Sequence, residues 1–351
     1  MLKPYLTVCM QPPVYQAQNR KDVKDNVERV AGLIDEMVFL IGRRLINRGN
    51  GGVRLVAFAE YAFTDCRQIA HGRIRGQDVA IEIPGPEIEP LRAAAKRNKI
   101  FIAAQALEKL PEFPDHCMNT MFIFGPTGEL VYKRHKQRSG VLTIYTSPND
   151  VLDRYMELFS DGRSVGETLF PVAKTEIGNL AMSACHEITT PEIARQLAAN
   201  GAEVIIRSTN EPESNGWVQM DRARAMENIV YCVVVNTGYA VKDTTIGDSG
   251  SSRVIGYRGE LIAESHLPDT AIWGLVDIER LRAAKGPTPI PVYANQVFDY
   301  HLRSSLPPNM FAKGPLSRVE LEAELLRLKL IPEIGGPAAT ESAKTSVAQH
   351  P

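Results

Sequence analysis

The stretch VRLVAFAE, residues 53–60, is the feature that most constrains the fold. Apart from Arg54 it is apolar from its first residue to the glutamate that closes it, without the apolar–polar alternation of a strand that has one wet face. Such a run predicts a strand buried on both sides, the situation of a parallel sheet covered by helices. Upstream, YLTVCMQ at 5–11 reads as a second strand, and RKDVKDNVERVAGLIDEMVFLIGRRL at 20–45 as a long amphipathic helix between the two. A parallel pair of strands needs a crossover of about this kind, so the chain opens as a β-α-β unit.

The alternation continues. PGPEIEPLRAAAKRNK (84–99) starts with prolines suited to a first helical turn, and IFIAAQALE (100–108) follows as a strand. CMNTMFIFG and GELVYKRH flank the turn PTG as a hairpin, which makes the sheet mixed. LFPVAKTEIGNLAMSAC (169–185) reads as paired strands, TPEIARQLAANG as a helix ended by glycine, and AEVIIRS (202–208) as a strand. WVQMDRARAMEN (helix), IVYCVVVNTG (strand) and SRVIGYRGELIAES (hairpin) complete the theme. The expectation is one α/β domain over residues 1–280, built on mixed sheets.

Beyond it the composition changes. Residues 281–335 are rich in proline and carry a single helical pattern, SRVELEAELLRLKL, which predicts an arm. Its Val292, Tyr293, Phe298, Tyr300, Met310 and Phe311 need a surface to cover, so the arm is expected to pack on the domain or across a subunit interface of a homodimer or larger homo-oligomer. The small polar run at 336–351 predicts a disordered tail.

Charge and cysteine usage narrow the function classes. Forty basic residues stand against 41 acidic ones, so there is no electrostatic footprint for nucleic acid or for an anionic membrane. No apolar run approaches the roughly 20 residues that span a bilayer, and MLKPYLTVCMQPP lacks the layout of a signal peptide; a cytoplasmic protein is expected. Cys9, Cys66, Cys117, Cys185 and Cys232 are odd in number, scattered and free of any CxxC pair, which predicts reduced thiols and neither a disulfide framework nor a metal site.

Sheets of this kind build their sites at the carboxyl ends of strands. Three chemically useful groups fall there: Glu60 after VRLVAFA, Lys133 within GELVYKRH and Cys185 after NLAMSA. An acid, a cation and a thiol at separate strand ends can converge on one reacting carbon. Taken singly each also has a plain reading, as a solvated glutamate, an edge-guarding lysine and a packed thiol. Lys136 is a second possible cation, but alternation along the strand puts Lys133 with His135 on one face and Lys136 with Arg134 on the other, so only one lysine enters a given pocket.

Read together, LVAFAEYAF, GELVYKRH, CHEITTPEIARQLAANGAEVII, RARAMENIVYCVVVNTG and GDSGSSRVIGYRGELIAE resemble, in order, the segments of the nitrilase (carbon-nitrogen hydrolase) superfamily, over residues 5 to about 280. The resemblance implies a four-layer αββα sandwich and a cofactor-free, cysteine-dependent hydrolase that takes a small amide to acid and ammonia through a thioester, leaning to the aliphatic amidase and formamidase branch. A nitrilase or N-carbamoyl amidohydrolase is the alternative within the superfamily, and a silent metabolite-binding scaffold the alternative outside enzymes. Carried onto this chain, the resemblance makes Cys185 the nucleophile, Glu60 the general base and acid, and Lys133, two residues before a histidine, the oxyanion partner. It also implies a second acid between the lysine and cysteine segments, for which Asp153 or Glu157 is available, with Asp153 preferred. His186 and Glu187 follow the cysteine where other residues stand in many relatives. His186, the next residue along an extended segment, points away from the sulfur, and His135 is expected to bond within its own segment.

Overall fold

Two six-stranded sheets lie face to face, and in each the centre is three parallel strands flanked by antiparallel ones. The computed structural model describes residues 2–45, 51–70, 72–137, 144–211, 215–238, 250–267 and 271–285. The first sheet takes β1 (Tyr5–Met10), β2 (Val53–Phe58), β3 (Phe101–Leu110), β4 (Phe113–Phe124) and β5 (Leu130–His135). The second takes β6 (Ala173–Thr175), β7 (Gly178–Ala184), β8 (Val204–Ser208), β9 (Tyr231–Val235), β10 (Ser252–Ile255) and β11 (Leu261–Ser265). The chain then returns to the first sheet as β12 (Ala271–Val276), antiparallel to β1, so the strand orders are β12-β1-β2-β3-β4-β5 and β11-β10-β9-β8-β7-β6.

Alternate residues of β2 enter two different cores, as a strand buried on both faces requires. Leu55 and Ala57 join Met121, Leu180, Met182, Ile206 and Val233 between the sheets. Val56 and Phe58 face outward, against Val23, Val27, Val30 and Ile34 of α1 (Arg20–Leu45) and Leu91, Ala94 and Ala95 of α2 (Glu89–Asn98). The spacing of the α1 residues is one helical stripe. A third helix, α3 (Leu152–Phe159), covers the far end of the first sheet with Tyr155. On the second sheet lie α4 (Pro191–Ala199), with Ile193, Ala194 and Leu197 buried, and α5 (Asn215–Asn228), with Ala225 buried. The architecture is the αββα sandwich.

The first residues of the expected arm fall inside a packed element. Helix α6 (Ile278–Lys285) buries Ile278 and Leu281 in the larger core cluster, and the rest of the expected arm and tail lies outside the described residues. Among the described residues no helix is long and apolar enough to cross a membrane.

One edge of β7 outruns its strand partner. Its short partner β6 reaches only as far as the Ala173↔Leu180 pair, so the next outward backbone groups of β7 need other partners. The first sheet supplies them: Tyr132 Oη accepts from Met182 N at 3.0 Å, and Arg134 Nη1 donates to Met182 O at 3.0 Å. Tyr132→Phe removes the hydroxyl that accepts from the buried Met182 amide and is expected to cost about 1–3 kcal/mol, the penalty of one orphaned buried donor. Equilibrium urea unfolding checks this, with a loss well under 0.5 kcal/mol counting against the role given to the tyrosine.

Candidate active site

Glu60 stands two residues beyond β2, at the point where the chain turns sharply. Tyr61 adopts φ 59°, and its amide donates to Gln105 Oε1 at 2.6 Å, which fixes the turn and leaves the Glu60 carboxylate buried. Glu60 Oε1 accepts from Asn119 Nδ2 on β4 at 2.7 Å and from Lys136 Nζ at 2.8 Å. Lys136 is the first residue after β5, and its amide donates to Asn119 O at 2.9 Å, so one asparagine holds both members of the pair. The ammonium is buried and lies 5.4 Å from the centroid of the Tyr145 ring.

Cys185 ends β7 in a different kind of turn. Its φ of 42° lies in the left-handed region, where a residue with a Cβ is strained and must be held by its surroundings. The chain then makes one helical turn, Cys185–Thr189, and enters α4 at Pro191. The thiol is 7% exposed, 4.0 Å from Asn210 O, and within electrostatic reach of both Glu60 and Lys136. Burial, reinforced by the Glu60 carboxylate, pushes its pKa up to about 11, against the opposing pull of Lys136 and Arg207. Burial works most strongly against the Lys136 charge, but Glu60, with Tyr145 and Cys185 adding to it, holds that ammonium well above the usual lysine range.

The lysine beside Glu60 is therefore Lys136 and not Lys133. The two do lie on opposite faces of the strand, but the inward face is the other one. Lys133 pairs across the ladder with Phe122, whose ring packs in the outer core, whereas Arg134 pairs with Met121, which packs between the sheets. Lys133 Nζ donates to Ile83 O at 2.9 Å and to Glu108. Glu108 also accepts from Thr120 Oγ1 at 2.9 Å and lies 3.1 Å from His135 Nε2, while His135 Nδ1 is 2.8 Å from Tyr155 Oη. Burial alone would raise the Glu108 carboxyl, but His135 and Lys133 bring it below its ordinary value. Lys133 and His135 thus belong to a polar cluster under α3, on the other side of the first sheet.

Residues 12–285 match the family model for carbon-nitrogen hydrolases. The chain belongs to the carbon-nitrogen hydrolase family. It is a hydrolase acting on carbon–nitrogen bonds other than peptide bonds. Among curated relatives, a formamidase of Bacillus cereus (strain B4264) is 25% identical over 273 residues, covering 76% of this chain and 72% of the relative, and a formamidase of Bacillus thuringiensis (strain Al Hakam) is 24% identical over the same span. The fold is shared with Nit3 of Saccharomyces cerevisiae, a member of the nitrilase superfamily (TM-score 0.62, 19% identity, 82% of this chain and 95% of that one). It is shared also with a carbon-nitrogen hydrolase of Helicobacter pylori G27 (TM-score 0.62, 17% identity, 87% and 100%).

The remaining sequence candidates of this hydrolase lie elsewhere. Asp153 and Glu157 are exposed on α3, where Glu157 pairs with Arg154 at 2.9 Å, so neither stands with Glu60; the polar stretch that offered them is a helix whose buried residue is Tyr155. The His186 ring packs edge-on against Trp217, 5.3 Å between centroids. Reading for strand-end chemistry passed over two groups that the structure places close by. Glu187 accepts from both guanidinium nitrogens of Arg134, at 2.8 and 2.9 Å, in a buried bidentate pair. Behind the cysteine, Arg207 bonds Asp221, Glu211 and, at 3.4 Å, Cys185 O, and Arg253 shares the same two acids. The usable signal was an arginine inside an otherwise apolar strand run, as Arg207 is in AEVIIRS and Arg253 in SRVIG. Among the described residues no group of three or more metal-ligating side chains forms.

The electrostatics give a signed expectation. Glu60→Gln removes a negative charge that helps raise the thiol pKa, so the pH midpoint for alkylation of Cys185 by iodoacetamide should fall from about 11. Peptide-resolved mass spectrometry across pH 7–11 follows this site separately from Cys66, and a midpoint that stays or rises would mean that the acid and the thiol do not feel each other.

Proposed function

We propose that this hydrolase converts a small aliphatic amide to its carboxylic acid and ammonia, with Cys185 as nucleophile, Glu60 as general base and then acid, and Lys136 as the oxyanion partner. The observation that carries the reading is the buried Lys136 and Glu60 pair, in hydrogen-bond contact with each other and in electrostatic contact with a thiol on a strained strand end. A preference for a short acyl group is supported by the similarity to curated formamidases.

In the first half-reaction Cys185 Sγ attacks the amide carbon as Glu60 takes the thiol proton. The carbonyl oxygen becomes an oxyanion, and Lys136 is the cation placed to stabilise it. Glu60 returns its proton to the amide nitrogen, the carbon–nitrogen bond breaks, and ammonia leaves a thioester on Cys185. In the second half Glu60 takes a proton from water, hydroxide adds to the thioester carbon, and the tetrahedral adduct expels the thiolate, which regains the proton from Glu60. Atoms and charge balance with side chains and water as the only participants.

Replacing Lys136 with alanine should lower kcat/KM for formamide or acetamide at least a hundredfold, about 3 kcal/mol of barrier. Lys133→Gln should change it only a few fold, because that ammonium serves Glu108 on the far side of the sheet. Ammonia release, with circular dichroism confirming the folded state, compares the two. A folded Lys136→Ala protein at full activity beside an inactive Lys133→Gln protein would return the role to Lys133.

A further inference from the structure

We infer that Glu187, clamped by Arg134, is a positioning residue that sets the distance between Cys185 and Lys136. The inference rests on the catalytic reading of those two residues given above. The backbone amides beside those two residues send their hydrogen bonds to one carboxylate. The amide of Ala184, immediately before the cysteine, donates to Glu187 Oε2 at 2.9 Å. The amide of Gln137, immediately after the lysine, donates to Glu187 Oε1 at 2.7 Å. One carboxylate therefore holds the strand end that carries the nucleophile and the strand end that carries the cation, although the two belong to different sheets.

The carboxylate is itself immobile. Arg134 Nη1 and Nη2 bond its two oxygens, and Arg134 is fixed in turn by Nε donating to Leu169 O at 2.9 Å and Nη1 donating to Met182 O at 3.0 Å. Four donors occupy the acceptor sites of Glu187, and its side chain is 0% exposed, so it has neither lone pair nor space for substrate. That makes it a positioning group and not a catalytic one. Cys185 sits at φ 42°, a conformation its surroundings must hold, and Lys136 lies just past the last ladder pair of β5, tied through Asn119 O to its own sheet and through Glu187 to the sheet of the cysteine.

Two variants test this. Glu187→Gln puts an amide NH2 among donors. The paired Arg134→Leu, Glu187→Met protein removes both charges together, a change that buried ion pairs often tolerate without loss of fold, and removes the acceptor shared by Ala184 and Gln137. Both should lose about a hundredfold in kcat with KM changed less than threefold, as expected for misplacement of reacting groups by about an ångström. The pH midpoint of Cys185 alkylation should also move up, because Lys136 is no longer held where it lowers the thiol pKa. The alkylation profile needs no substrate, so it tests the inference even if the wild-type protein turns over none of the amides tried. Thermal unfolding identifies the folded variants. A folded double variant with wild-type kcat and an unmoved alkylation profile overturns the proposal.

Discussion

A lysine ammonium and a glutamate carboxylate buried against each other at 2.8 Å are the interaction on which the rest of this structure depends. Each charge alone would pay several kcal/mol in desolvation, and the pair is tolerable only because its members attract at close range and have further partners. Asn119 provides these for both, through its side chain to Glu60 and its carbonyl to the Lys136 amide. The same balance recurs around the pair. Arg134 is matched by Glu187, and Arg207 with Arg253 by Glu211 with Asp221, all of them buried. Around Cys185 the upward pull of Glu60 and Glu211 is opposed by Lys136 and Arg207, and burial is the largest influence on its thiol.

The two sheets bring these groups together because their central strands are parallel. The carboxyl end of β2 delivers Glu60, and the carboxyl end of β7 delivers Cys185. The ends are also joined directly, since Ser208 Oγ, at the end of β8, donates to Phe58 O, at the end of β2, at 2.8 Å. Tyr132 and Arg134 of β5 reach across to the β7 edge that β6 leaves uncovered. The site is thus a seam between sheets, closed by polar side chains where backbone pairing runs out.

Much of this was legible in the residues. The absence of alternation in VRLVAFAE announced a strand with two buried faces, and Leu55 and Val56 do lie in different cores. The interest in strand ends singled out Glu60 and Cys185, two groups that the fold brings within electrostatic reach of each other. The lysine was a different problem: alternation separated Lys133 from Lys136 correctly, yet which face turns inward is decided by the ladder with β4 and by Glu108 waiting on the outer side. A strand buried on both faces carries no polar stripe to reveal this. Strand β12 escaped notice because it is an edge strand with Trp273 and Leu275 exposed, so its apolar residues do not mark a buried face. Helix α3 escaped because it is short and only Tyr155 is fully buried, with Leu152, Leu158 and Phe159 no more than partly covered.

The raised thiol pKa fits a hydrolase better than it first suggests. With a pKa of about 11, only about one Cys185 in ten thousand would be thiolate at pH 7, so the resting sulfur is a poor nucleophile and a poor target for oxidants. In the proposed reaction the proton passes to Glu60, and the negative charge moves from that carboxylate to the sulfur while Lys136 stays positive. The net charge of the pocket does not change, and Lys136 remains beside whichever group is anionic: first the carboxylate, then the sulfur, then the oxyanion. Proton transfer therefore avoids creating an unpaired charge in a buried place, which would otherwise be its largest cost. In that reaction a cation paired with Glu60 and felt by Cys185 would serve three successive anions, which requires that its distance to the sulfur be held by something other than the reacting groups.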